Sequence, residues 1–186
     1  MRTFIAIDLD PEIKKALADF LSRLKKNGPK NISWVQEKGM HLTLKFLGEI
    51  EDAQAAPIVE LLGRISGKYE RFPMVIRGTG YFPPNPRYLR VIWVGAEDQP
   101  VLLTVQREIE SELEKLGFPR EKRAFHPHLT LGRVRAPVGL NPVLEELQKN
   151  KDTLFGEMRV RKITFFRSQL RPTGAEYTVL AEADLA

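Results

Sequence analysis

The chain has 186 residues, no cysteine and a formal net charge of +5; this excludes disulfide frameworks and thiolate metal sites and leaves one domain, or two small lobes, large enough for a core. At 42% hydrophobic and 28% charged residues the composition is that of an ordinary globular protein, and no apolar run approaches membrane-spanning length. The positive balance favours polyanionic partners, although solubility alone explains it equally well. Acidic residues enter the opening MRTFIAIDLDPE too early for a secretory leader, so a cytoplasmic protein with no membrane partner is expected.

Residues 3–9 (TFIAIDL) make a short apolar run followed by turn formers, the pattern of a buried strand. Asp10 and Pro11 then open a helix with Ile13, Leu17, Phe20, Leu21 and Leu24 on one face, and Gly28-Pro29 stops it. A short strand is expected around 32–36. The next strand, about 41–47, begins with His-Leu-Thr-Leu. A helix over roughly 53–67 follows, disturbed near its start by Pro57. Strands are expected at about 72–81 and 88–94. Pro100 opens a second long helix with Leu102, Val105, Ile109, Leu113 and Leu116 on one face, ended by Gly117. His-Leu-Thr-Leu then recurs at 128–131. Asn141-Pro142 opens a fourth helix, and strands at about 156–167 and 176–183 complete the chain.

The repetition is the strongest signal. Only three histidines occur, and two of them head the identical motifs; chance places such a motif at a given position with odds on the order of one in 10⁵. The spacings also repeat. Pro11 to Gly28 and Pro100 to Gly117 are both 17 residues, and glycine to histidine is 13 residues in the first half and 11 in the second. Four helices among about eight strands, with several short strand-to-strand links, predict an α+β fold with antiparallel sheets. The near-equal spacings predict an internal pseudo-twofold duplication (residues about 1–83 and 84–186 of a single domain spanning 1–186) that brings the motifs into a central cleft.

Side chains alternate across a strand, so His41 and Thr43 share one face while Leu42 and Leu44 anchor the other. The same holds for His128 and Thr130 against Leu129 and Leu131. Two imidazoles, one neutral and one charged near neutral pH, supply a base and an acid for an in-line displacement. Threonine hydroxyls and a forked guanidinium hold phosphate oxygens. Arg133 is the candidate cation, but strict alternation turns it to the wrong face unless Gly132 permits a bulge. The constellation therefore reads as metal-free phosphoryl transfer. A zinc site is the rival use of His126 and His128, but no cysteine is present and no acidic cluster recurs at His41. Lys45 shares the face of His41 under alternation and reads as an exposed strand lysine. Tyr81, Phe82, Trp93 and Phe46 are candidates for base stacking, with the hydrophobic core as the simpler assignment for each.

The paired motifs resemble the 2H phosphoesterase superfamily, and the flanks RTFIAIDL, HLTLKFLGE, GYFPPNPRYLRVIWVG, FHPHLTLGRV and ITFFRSQLRPTGAEYTVL are similar to its RNA 2′,3′-cyclic phosphodiesterases, formerly called 2′-5′ RNA ligases. The resemblance implies a bilobal α+β fold, two antiparallel sheets with flanking helices around a central cleft, and a metal-free, cofactor-free hydrolase that opens RNA terminal 2′,3′-cyclic phosphates to 2′-phosphates. It further implies His41 as proton donor to the departing 3′-oxygen, His128 as proton acceptor from water, and Thr43, Thr130 and Arg133 as phosphate ligands. The motifs are locally identical, so sequence alone does not separate donor from acceptor. The expected partner is RNA with a cyclic end or a small cyclic nucleotide, and a monomer is expected. Two other readings stand beside it: an enzyme that joins or cleaves 2′-5′ linkages or acts on small cyclic nucleotides, and a non-catalytic RNA-binding module, for which two intact histidines have no use.

Overall fold

The computed structural model describes residues 1–172 and 174–186. In chain order the described elements are β1 (Arg2–Asp8), α1 (Pro11–Asn27), β2 (Ile32–Trp34), β3 (His41–Glu49), α2 (Asp52–Ser66), β4 (Phe72–Phe82), β5 (Val91–Ala96), α3 (Pro100–Lys115), β6 (His128–Val134), α4 (Asn141–Lys149), β7 (Leu154–Val160), β8 (Lys162–Arg171) and β9 (Gly174–Asp184). The strands form two antiparallel sheets, ordered β3-β1-β8-β9 and β2-β6-β5-β4-β7.

The helices begin where Pro11, Pro100 and Asn141-Pro142 predict, because proline at the first turn forfeits only a hydrogen bond that has no partner there. The five predicted apolar residues of α1 are all buried. Helices α2 and α3 lie on the first sheet, and α1 and α4 on the second. Leu42, Leu44, Leu129 and Leu131 belong to one continuous core beneath these helices. Burying each leucine stabilises the fold by roughly 1.5–3 kcal/mol, so the motif strands are fixed by their leucines and their other faces are left for chemistry.

Each sheet takes strands from both halves of the chain. β1 and β3 join β8 and β9, while β2 and β4 join β5, β6 and β7. The spatial lobes are therefore not the sequence halves. Motif strands β3 and β6 lie in different sheets and touch each other directly.

Two elements differ from expectation. The run 156–167 is two strands, broken at Arg161, with β7 in the second sheet and β8 in the first. The strand expected at 88–94 starts at Val91, because Pro86–Tyr88 forms a 3₁₀ turn capped by the Asn85 side chain. Among the described residues no helix is long and apolar enough to cross a membrane.

Candidate active site

Both motif strands carry the same irregularity at the same place. Along β1 and β3, Ile5 pairs with Lys45 and Ala6 with Thr43, so Leu44 is an extra residue. Along β5 and β6, Ile92 pairs with Gly132 and Trp93 with Thr130, so Leu131 is extra. A bulge of this kind reverses the alternation beyond it. Leu131 and Gly132 both face the core and Arg133 is exposed, which turns Arg133 to the side of His128 and Thr130. The conditional bulge at Gly132 is present, and Arg133 lies close enough to His128 to depress its basicity.

The same bulge overturns the placement of Lys45. Lys45 is only 6% exposed and points under α3. Its Nζ donates to Glu110 Oε2 at 2.7 Å and to the Pro119 carbonyl at 2.6 Å. Phe46 emerges on the cleft face instead, 60% exposed. It heads a cross-strand row with Phe4, Phe166 and Val179.

The histidines are held alike. His128 Nδ1 lies 2.7 Å from the His126 carbonyl oxygen, which can only accept, so Nδ1 carries the proton and Nε2 is the free base of the neutral ring. The His41 ring donates to the Gly39 carbonyl, likewise two residues upstream. His41 stacks on Phe4 at 4.6 Å and meets Tyr177 edge-on at 5.1 Å. His128 meets the Phe82 ring edge-on at 5.2 Å. Burial dominates both titrations. It pushes His41 from 6.5 down to about 4, opposed by the Gly39 hydrogen bond and the Asp8 charge. Burial also lowers His128, assisted by the charge of Arg133 and opposed by the hydrogen bond to His126. Both rings are therefore neutral in the unliganded protein at neutral pH.

Tyr177 was not among the residues singled out by sequence. Its phenol is pushed upward by burial, against the charges of Arg133 and Arg2, and its ring meets Phe4 and His41 edge-on. Gly39 makes room for it: a Cβ there would sit 2.9 Å from the Tyr177 ring. An aromatic in a strand beside alternating polar residues was the only available signal.

A recess of about 330 Å³ opens beside His128, lined by Phe82, Trp93, His126 and Asp98 among others. Phe82 and Trp93 thus border the cleft, whereas Tyr81 packs against the core. His126 is exposed and lends its carbonyl to His128. Among the described residues no group of three or more histidines and carboxylates has the spacing of a metal site.

Two His-x-Thr strands thus face one cleft, and among the described residues Arg133, which follows one of them, is in no ion pair. The LigT-like phosphoesterase family model matches residues 7–93 and again 94–177, and the chain belongs to that two-histidine family. Its relatives include the RNA 2′,3′-cyclic phosphodiesterases of Methanothermobacter thermautotrophicus, 36% identical over 96% of this chain and 95% of that protein, and of Thermotoga maritima, 37% identical over 98% and 94%. Among solved structures, TT0787 of Thermus thermophilus superimposes with a TM-score of 0.84 at 30% identity over 100% of this chain and 98% of that one. E. coli LigT complexed with 3′-AMP gives 0.80 at 26% identity over 99% and 97%.

Proposed function

We propose that the protein hydrolyses RNA terminal 2′,3′-cyclic phosphates to 2′-phosphates. The observation that carries this reading is the convergence of β3 and β6, each presenting a carbonyl-anchored histidine and a threonine, with Arg133 turned to the same side by the bulge. Thr43, Thr130 and Arg133 hold the phosphate oxygens. His128 Nε2 takes a proton from water as its oxygen attacks phosphorus in line. The P–O3′ bond breaks, His41 gives its proton to the 3′-oxygen, and the phosphate stays on O2′. Proton exchange with solvent then resets both rings. These steps draw on side chains alone, and every residue in them comes from one chain, so a monomer suffices.

The donor role requires a charged His41, while burial holds the empty site's ring neutral. The anionic cyclic phosphate resolves this, since an adjacent negative charge favours the imidazolium. Substrate binding then takes up a proton, and the site is charged for catalysis only when occupied. Phe82 and Trp93 offer the terminal base a stacking wall beside His128.

Incubation with a cyclic-ended oligoribonucleotide in strong chelator, followed by phosphorus NMR, tests this reading. A terminal 2′-phosphate is expected. A persisting cyclic end contradicts the activity, and a 3′-phosphate contradicts the donor role of His41.

A further inference from the structure

The row of cleft-facing groups on β6 does not stop at Arg133. Ser33 of β2 is the register partner of Arg133, so the two share a face. Arg135 Nε donates to Ser33 Oγ at 3.1 Å, which puts the Arg135 guanidinium on that face as well, with Val134 buried on the other. The backbone there is clamped. Arg135 N donates to the Asn31 carbonyl at 2.9 Å, and Asn31 Nδ2 holds the carbonyls of Ala136 at 2.5 Å and Val138 at 3.1 Å. Among the described residues neither Arg133 nor Arg135 is in an ion pair, unlike Arg77, Arg120 and Arg171. Both guanidiniums are therefore available to an anion without first breaking a salt bridge.

Along a strand, residues two apart stand about 6.6–6.8 Å from each other, a span comparable to that between neighbouring phosphates of an extended single strand. A guanidinium fork matches phosphate geometry, and a cationic track along the backbone is how single strands are held. The aromatic recess flanks the start of β6, at His126 and His128, and Arg135 lies just past its end. A nucleotide with its base in the recess and its cyclic phosphate at Thr130 and Arg133 leaves its 5′ side free to run toward Arg135.

We propose that Arg135, oriented by Ser33, binds the internucleotide phosphate immediately upstream of the cyclic end, so that the preferred substrate is a polynucleotide terminus and not a free cyclic mononucleotide. This rests on the cyclic-phosphodiesterase reading above. The test compares kcat/KM of the full chain for a 2′,3′-cyclic mononucleotide and for a dinucleotide ending in the same cyclic nucleotide. Wild type should favour the dinucleotide. Arg135→Ala should lower the dinucleotide value about tenfold, as expected for one charge-assisted phosphate contact, and the mononucleotide value less than about twofold on the same grounds. Its dinucleotide rate should also depend less steeply on salt than that of wild type. A neutral methylphosphonate linkage should cost wild type as much as the substitution does, and cost Arg135→Ala little more. Ser33→Ala should shift the preference in the same direction by less. Equal loss on both substrates, or none on either, overturns the subsite while leaving the activity intact. Failure of wild type to open either substrate would remove the activity and the subsite together.

Discussion

Strands β3 and β6 begin with the same four residues and carry the same bulge, yet the two residues after it are Lys45-Phe46 in one and Gly132-Arg133 in the other. On the core side, Lys45 reaches the buried Glu110, whereas a Cβ at Gly132 would lie 2.7 Å from the Trp34 ring. On the cleft side, Phe46 presents an exposed ring where Arg133 presents a cation. The histidines differ as well, His41 being enclosed by Phe4 and Tyr177 and pushed to about 4 while His128 is lowered with Phe82 at its edge. Duplication thus supplies two equal imidazoles and hydroxyls, and the residues outside the motif make the two sides unequal. A displacement with an entering water and a departing alkoxide needs that inequality.

The largest effects should come from what the strands share. His41→Ala and His128→Ala are each expected to lower turnover about 10²–10⁴-fold without unfolding the protein. The double variant should lose far less than the product, because the pair acts as a unit. Steady-state kinetics alongside circular dichroism check this, and near wild-type turnover from either single variant would break the symmetry on which the site is built.

Next comes the buried difference. Lys45→Met leaves Glu110 without its cation and should cost about 3–5 kcal/mol in denaturant unfolding, as for other broken buried pairs. Adding Glu110→Leu should recover part of that loss. A cost below about 1 kcal/mol would mean that water reaches the pair, as at an exposed one.

The burial of His41 makes a pH prediction. Its folded value lies below the unfolded 6.5, at about 4, so the unfolded chain binds the proton first. The contribution is fully present above about 6.5 and is lost as pH falls toward about 4, a change of about 3 kcal/mol. His41→Phe should flatten that segment of the stability profile, and an unchanged slope would contradict the burial of the ring.

The cleft-side difference should be smaller and of two kinds. Arg133→Ala is expected to lower kcat/KM about 10- to 100-fold through a lost charged hydrogen bond, whereas Phe46→Ala should weaken binding severalfold and spare kcat. Equal effects on kcat would erase the distinction between cation and ring.

The sequence made one half of this contrast more legible than the other. Helix starts, core leucines and the motif pair follow from proline placement and period, and Gly132 flagged its bulge. The bulge at Leu44 had no such marker, because Leu42, Leu44 and Phe46 alternate smoothly; pairing with β1 alone fixes Lys45 inward. The break at Arg161 has no such marker either. Burial alternates at Met158 and Val160, but Ile163, Thr164, Phe165 and Phe166 beyond it are all buried, so no change of period marks the crossing from one sheet to the other. Tyr177 reaches His41 only through tertiary packing.

The most direct test of unequal roles is a cyclic substrate with sulfur at the 3′-bridging position. A thiolate departs without a proton more readily than an alkoxide, so it bypasses the donor and leaves the acceptor's task unchanged. His41→Ala should return to within about tenfold of wild type on this substrate, with His128→Ala still strongly impaired. Rescue of His128→Ala instead would reverse the assignment, and rescue of neither would contradict acid–base catalysis by the pair.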